Sequence, residues 1–219
     1  DGDGIAQDRE TYGLSAYYSN KITPDWRLQA NLDALYSDSA EGDFRDGEYL
    51  KFQLGYAYRP VDNERLNMLF RYTLLNDLPG EDQVTSNGSI NGPQQRSHVL
   101  SFNGSYDVSQ ALTASVKLGY RKSEVAERGT DTFTDSTARL AALRLDWHIV
   151  HKWDAFAETR FTRTDEADID EASALIGLYR HIGNNAKIGV GYEWGSVSDN
   201  LTNLDYDNEG LFINLIAKF

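Results

Sequence analysis

The spacing of the apolar residues restricts the fold of this chain more than any other feature of its sequence. From Trp26 to Ala34 the even positions are apolar and the odd positions are polar. A period of two with one apolar face is typical of a β-strand that turns only one side away from water. The pattern returns in eight more segments: Leu50–Tyr58, Leu66–Leu74, His98–Tyr106, Leu112–Tyr120, Ala141–Ile149, Trp153–Phe161, Ile188–Trp194 and Leu211–Phe219. With a weaker segment at 12–18 and one at 172–182 that is apolar on both faces, the sequence predicts an all-β chain of about eleven strands.

The composition excludes several other classes of protein. No apolar run approaches the roughly 18 residues that a membrane-spanning helix needs. The absence of cysteine excludes a disulfide framework, a zinc–thiolate site and covalently attached haem. The net charge of -13 argues against nucleic acid as a partner, because phosphate binding depends on Lys and Arg.

The lengths of the segments and of their links predict where the strands lie. The segments run about 10 to 13 residues, which is roughly twice the usual strand of a soluble sheet and matches a tilted strand that crosses a bilayer. Short turns alternate with long polar loops near 37–48, 76–96, 122–136, 163–171 and 195–209. This layout is typical of a transmembrane antiparallel up-and-down β-barrel whose long loops are extracellular. The alternative is a soluble β-sandwich or an internally apolar barrel, in which the apolar face forms a core.

The aromatic residues divide between the two ends of the predicted strands. One group lies beside the short turns: Tyr18, Trp26, Tyr58, Tyr106, Trp147, Trp153 and Tyr179. A second group lies toward the long loops: Tyr36, Tyr72, Tyr120 and Trp194. Two aromatic girdles on either side of aliphatic residues are what a lipid-facing band requires. The girdles therefore favour the membrane barrel over the soluble alternative.

The last segment resembles the C-terminal strand of Gram-negative outer-membrane β-barrel proteins. Leu211, Ile213, Leu215 and the terminal Phe219 alternate as that strand does, although Ala217 stands where an aromatic residue is common. In such proteins the barrel-assembly machinery reads this strand as an insertion signal. The resemblance implies a barrel domain over about 9–219, located in the outer membrane, in contact with membrane lipid and lipopolysaccharide.

The first eight residues differ from the rest of the chain. Asp1, Asp3 and Asp8 surround a glycine turn and resemble the end of an acidic calcium-binding repeat, in which carboxylates supply oxygen ligands to Ca²⁺. The alternative for 1–8 is a solvated acidic linker without metal. Because bacterial single-chain barrels close with an even number of strands, eleven visible strands predict a complete barrel of twelve or more.

Charged residues are segregated between loops and strands. More than half of the 34 acidic residues fall in the long loops, whereas the strand positions opposite the apolar face are mainly basic. The residues predicted to line the lumen are Arg27, Lys51, Arg59, Arg65, Arg71, Lys117, Arg121, Arg144 and Arg160. Such a surface favours anions in a channel, and the alternative is that these charges pair across strands and fill a narrow interior.

The histidines lie in no catalytic arrangement, and the sequence predicts no catalytic residue. A barrel phospholipase needs Ser, His and an orienting amide together, but alternation puts His98 on the face opposite Ser101 and Asn103. Asp146 and His148 share a face, yet they lie beside a short turn without a matching acid pair. Two hypotheses of function remain: a porin-like channel for small, anionic solutes, and a membrane anchor or scaffold for a larger surface protein or partner.

Overall fold

The chain forms a single antiparallel sheet. The computed structural model describes residues 9–39, 49–76, 94–127, 132–150, 152–166, 168–183, 186–195 and 210–217. These contain eleven strands: β1 Arg9–Lys21, β2 Trp26–Ser39, β3 Tyr49–Tyr58, β4 Leu66–Asn76, β5 Gln94–Asp107, β6 Leu112–Ala126, β7 Thr134–Val150, β8 Trp153–Thr164, β9 Ile169–Ile182, β10 Ala186–Trp194 and β11 Gly210–Ala217. The predicted number of visible strands and the all-β class are confirmed.

The strands follow one another in an up-and-down meander. Each strand pairs antiparallel with the next in the sequence, from β1 to β11 without a crossover. Within the described residues the sheet is open, because β1 and β11 each have one hydrogen-bonded neighbour. No helix in this part of the chain is long and apolar enough to cross a membrane. The predicted up-and-down antiparallel topology is therefore present.

Strand register carries one apolar face across the whole sheet. Leu54 pairs with Tyr72, Tyr72 with Leu100, and Leu100 with Tyr120, so these four side chains share a side. Apolar side chains on this side are exposed, with Leu100 at 55%, Leu143 at 62% and Ile213 at 72%. A soluble protein does not leave so continuous an apolar surface in water. The face is therefore the lipid-facing surface of a membrane barrel, and the opposite side is the interior.

One member of the predicted aromatic girdle lies on the other face. Tyr179 pairs with the interior residue Asp154, and its ring stacks with that of Phe156 at a centroid distance of 5.7 Å. The prediction that Tyr179 faces lipid is wrong, because the segment around it is apolar on both faces and only pairing with β8 and β10 decides its direction. Trp147 and Trp194 do lie on the outward face, exposed by 53% and 43%.

Interior aromatic rings near the end of the chain lie over glycines. A Cβ atom at Gly177 would collide with the ring of Phe156, and one at Gly189 would collide with the ring of Tyr179. Gly191 is related in the same way to Phe212. Because the glycines of β9 and β10 have no side chain, they leave the space that these rings occupy. The rings therefore fill the interior on this side of the sheet.

Two of the extracellular links are shorter than predicted. Strand β8 runs to Thr164 and β9 begins at Ile169, which reduces the expected 163–171 loop to four residues. The expected 122–136 loop is reduced to 127–133, because β6 and β7 have 15 and 17 residues. A bilayer needs only about 9–11 residues per strand, so these strands extend beyond the membrane on the loop side.

Because Leu54 lies on the outward face, an added charge there is expected to destabilise the barrel more than one on the interior face of the same strand. Leu54→Arg places a guanidinium in hydrocarbon and is expected to lower the free energy of unfolding in lipid vesicles by about 2–4 kcal/mol. The neighbouring Gln53→Arg, on the interior face of the same strand, is the matched control and is expected to change it by less than about 1 kcal/mol. Heat-modifiability of the refolded protein reports both. Equal effects of the two substitutions would show that the assigned facing is reversed or absent.

The glycine beneath Tyr179 gives a second expectation. Gly189→Ala inserts a methyl group into the space of the ring and is expected to destabilise the barrel by about 1–3 kcal/mol. In a Tyr179→Ala background the ring is absent, so adding Gly189→Ala is expected to lower the free energy of unfolding by much less than it does in the parent chain. Denaturant unfolding in detergent micelles measures this cycle, and strict additivity of the two changes would contradict the contact.

Candidate functional site

The interior face contains a cavity whose lining is mainly basic. Strands β1 to β8, with the short turn after β1, border a space of about 900 Å³ at the short-turn end of the sheet. The charged residues that line it are Lys21, Arg27, Arg59, Lys117, Arg144 and Arg160, with Asp25 and Glu158 as the acids. Five of the nine basic residues predicted from the sequence are therefore brought together around one space.

The other predicted basic residues lie elsewhere. Pairing of Lys51 with Asp33, Arg71 with Gly55 and Arg121 with Val99 places all three on the interior face. Arg65 lies in the short turn before Leu66, outside strand β4, and its side chain is exposed. The cavity thus takes its charge from residues near the short turns.

On one side of the cavity, basic and acidic side chains are joined in a chain of ion pairs. Arg144 contacts Asp146 Oδ1 at 2.7 Å through Nη2 and Glu158 Oε2 at 3.0 Å through Nη1. Arg160 Nε lies 2.6 Å from Glu158 Oε1, and its Nη1 lies 3.4 Å from Glu193 Oε1. These contacts connect β7, β8 and β10. Arg144 and Arg160 are therefore largely neutralised, as the alternative interpretation of the lumen charges expects.

A second cluster on the same side was missed by the sequence analysis. Asp154 Oδ1 lies 2.7 Å from His148 Nδ1, and Asp154 Oδ2 lies 2.7 Å from His181 Nε2. Lys187 Nζ is 3.7 Å from the same carboxylate. One carboxylate thus joins four successive strands, β7 to β10. The common interior facing of His148 and Asp154 could have been read from alternation, but their meeting with His181 depends on register.

The opposite side of the cavity has basic residues without such partners. Within the described parts of the chain, no carboxylate lies within 4 Å of the charged nitrogens of Arg27, Lys51, Arg59 or Arg71. Asp33, which faces Lys51 across the strands, instead accepts hydrogen bonds from Ser15 at 2.9 Å and Asn31 at 2.7 Å. The lining between the basic residues is polar and uncharged, including Gln29, Asn67, Asn103, Ser105 and Ser115. Positive charge is therefore concentrated on the β2–β4 side of the interior.

Toward the long loops the interior is more tightly packed. Leu75 and Ser97 are each 1% exposed, and the hydroxyl groups of Ser97 and Ser123 lie 2.7 Å apart. Ala138 and Leu140 are buried together beside them. The open cavity is thus limited to the part of the interior nearer the short turns.

At the extracellular end, a carboxylate closes the link between β8 and β9. The backbone N–H of Thr137 donates a hydrogen bond to Glu166, and this contact lowers the pKa of the Glu166 carboxyl below its ordinary value. Arg139 Nη2 lies 2.9 Å from Asp165 Oδ2 in the same link. These contacts fasten the short link to β7.

The Thr137–Glu166 contact is expected to weaken in acid. Because the pKa of Glu166 is lower in the folded state, the contact contributes fully above the ordinary Glu pKa of about 4.3 and is lost as pH falls through the lowered value. Hydrogen exchange at the Thr137 amide, corrected for its intrinsic rate, should show this loss of protection. Glu166→Gln should remove the pH-dependent step, whereas Glu171→Gln should retain it. A step that survives Glu166→Gln would assign the protection to another group.

The predicted assembly signal at the C-terminus and the predicted metal site at the N-terminus lie partly or wholly outside the described residues. Leu211, Ile213 and Leu215 lie on the outward face and are 70%, 72% and 66% exposed. Phe219 lies outside the described residues, so the assembly signal stays a prediction. Asp1, Asp3 and Asp8 also lie outside them, and among the described residues no group of three His, Asp or Glu side chains is arranged to hold a metal ion.

Comparison with known proteins gives structural likenesses of low sequence identity. The NanC porin aligns over 97% of this chain and 97% of its own, with 14% identity and a TM-score of 0.47. The translocator domain of the autotransporter NalP from Neisseria meningitidis aligns over 100% and 83%, with 16% identity and a TM-score of 0.40. The toluene transporter TodX from Pseudomonas putida aligns over 97% and 78%, with 12% identity and a TM-score of 0.45. No protein-family profile matches the chain, and no curated protein matches its sequence.

The class of the protein follows from its own sheet. Eleven up-and-down antiparallel strands carry an exposed apolar band on one side and a polar, charged interior on the other. In hydrocarbon such strands satisfy every backbone group through pairing, which is why they span membranes only as barrels. The chain therefore has the fold of a transmembrane β-barrel of the outer-membrane type.

Proposed function

We propose that the barrel is a porin-like channel with a basic lumen that passes small anionic solutes. The observation that carries this proposal is the cavity of about 900 Å³ with six basic and two acidic residues in its lining. Of the two acids, Glu158 is engaged by Arg144 and Arg160. The remaining positive charge therefore acts on whatever occupies the cavity.

The distribution of charge suits the attraction of an anion without tight binding. Arg27 and Arg59 project into the space from β2 and the turn after β3, away from the ion pairs of β7 and β8. A cavity with walls of low dielectric constant concentrates the field of such charges and raises the local concentration of anions. Conduction also requires that the anion leave, and separated single charges favour weak binding at several points.

A membrane anchor or scaffold is the second candidate, and the filled side of the interior favours it. The ion pairs of β7–β10 and the rings of Phe156, Tyr179 and Phe212 occupy the interior there. A barrel whose lumen is filled all round holds a surface protein in the membrane without conducting. The two candidates differ in whether the β2–β4 side leaves a continuous path.

We also propose that the barrel performs no catalysis. Register places His98 on the outward face and Ser101 and Asn103 on the interior face, so these three side chains cannot form one hydrolytic site. The carboxylate of Asp154 bridges two imidazoles and lies near Lys187, an arrangement that joins strands. Asp146, the other acid near His148, is held by Arg144.

Conductance in planar bilayers tests the channel proposal. The parent barrel is expected to show open steps with anion preference, and Arg27→Gln/Arg59→Gln is expected to lower the anion-to-cation permeability ratio about two- to threefold at 0.1 M salt. The effect should shrink at 1 M salt, where the Debye length falls to about 3 Å. Reversal potentials in a salt gradient measure the ratio.

The matched control removes the same charge from the outside of the barrel. Arg139→Gln/Arg163→Gln changes two exposed residues at outward positions near the extracellular loops and should leave selectivity unchanged. An absence of conductance from a correctly folded parent barrel would favour the anchor. Cation preference in the parent, or equal shifts in the two double variants, would show that the basic cavity does not control passage.

A further inference from the structure

The outward face of the barrel carries a charged groove beside the extracellular loops. A space of about 440 Å³ on strands β3 to β6 is lined by three leucines, by Asn76 and by four ionisable side chains, Arg96, His98, Lys122 and Glu124. All four of these ionisable side chains are exposed. Three of them are basic types at positions that alternation reserves for contact with the membrane and its surface.

These side chains form an ordered series along β5 and β6. Arg96 pairs with Glu124 nearest the loops, His98 with Lys122 one outward position lower, and Leu100 with Tyr120 below that. Successive outward positions are about 7 Å apart along a strand. Tyr120 belongs to the aromatic girdle that marks the membrane interface, so His98 and Lys122 lie at the level of the lipid headgroups.

A second, apolar groove lies next to the charged one, nearer the centre of the membrane. About 620 Å³ on strands β2 to β6 are lined almost entirely by apolar and aromatic side chains, including Leu54, Tyr72, Leu100 and Leu118. The two grooves are joined by a hydrogen bond between Tyr72 OH and His98 Nδ1, 2.7 Å long. The surface therefore changes from basic to apolar between two neighbouring grooves.

We propose that the two neighbouring grooves together bind an acylated, phosphate-bearing lipid of the outer leaflet. A phosphate group lies against Lys122 and His98, with Arg96 above, and an acyl chain lies in the apolar groove. The charge selects an anionic headgroup, the adjoining apolar space selects a lipid over a soluble anion, and the extracellular side selects the outer leaflet. The proposal rests on the orientation of the barrel and is independent of whether its lumen conducts.

Two details of the groove determine the height of the phosphate. The Arg96 guanidinium lies over the ring of Phe133 at 4.5 Å, which holds it at the loop side of the groove. Glu124 lies opposite Arg96 and repels a phosphate placed at that level. The phosphate therefore sits one position lower, where Lys122 faces His98, and Glu124 is expected to weaken binding.

The test uses the detergent-purified full chain and a bisphosphorylated, multiply acylated glucosamine disaccharide, measured by native mass spectrometry. Arg96→Gln/Lys122→Gln is expected to weaken binding about tenfold or more, as the loss of charge-assisted contacts implies. Glu124→Gln is expected to strengthen it. Arg139→Gln/Arg163→Gln removes two outward basic residues on the neighbouring strands β7 and β8 and should bind as the parent does.

Further measurements test the phosphate groups and the acyl chains of the lipid separately. The dephosphorylated disaccharide should bind at least about tenfold more weakly, and inorganic phosphate should fail to displace the bound lipid. Leu100→Trp, which fills the apolar groove, should weaken the lipid while the barrel keeps its heat-modifiability. The proposal is overturned if the Arg96/Lys122 variant binds as the parent, if the β7–β8 control loses as much, or if inorganic phosphate displaces the lipid.

Discussion

Hydrocarbon on one side of a pleated sheet is the constraint on which the rest of this structure depends. A strand with its backbone in lipid must pair with neighbours on both edges, and its side chains must alternate between lipid and interior. A slip of one residue in any strand would turn its apolar side chains inward and its charges into lipid. Register is therefore strongly specified, and each interior contact depends on it.

The same constraint produces the uneven interior. Alternation places polar or small side chains in the interior, but it does not determine how their charges are compensated. On β7 to β10 the charges meet as ion pairs, with Glu158 between Arg144 and Arg160 and Asp154 between two histidines. On β2 to β4 no such chain of ion pairs forms among the described residues, and Arg27 and Arg59 lie in a lining that is largely polar and uncharged. The channel and anchor proposals correspond to these two sides of one lumen.

The outer surface shows that lipid contact is also graded along the strands. From the centre of the bilayer to the loops, the outward positions of β5 and β6 change from Phe102 and Leu118 to Tyr120, then to His98 and Lys122. This order follows the polarity of a lipid from its chains to its headgroup. Strands β6 to β9 continue past the headgroups, which is why the two loops predicted from polarity alone at 122–136 and 163–171 are shorter than expected.

The sequence by itself determined the all-β class, the visible strands, most of their facing and the basic character of the interior, because a period of two is a local property that bilayer and lumen impose on every strand. It did not determine the direction of Tyr179, since apolar residues there occupy both faces and only pairing with β8 and β10 orients the ring. Nor did it show that His181 and Lys187 meet Asp154, or which arginines are neutralised. Those contacts join residues as far as 33 positions apart, as in Arg160 and Glu193, and cross-strand register alone brings them within bonding distance.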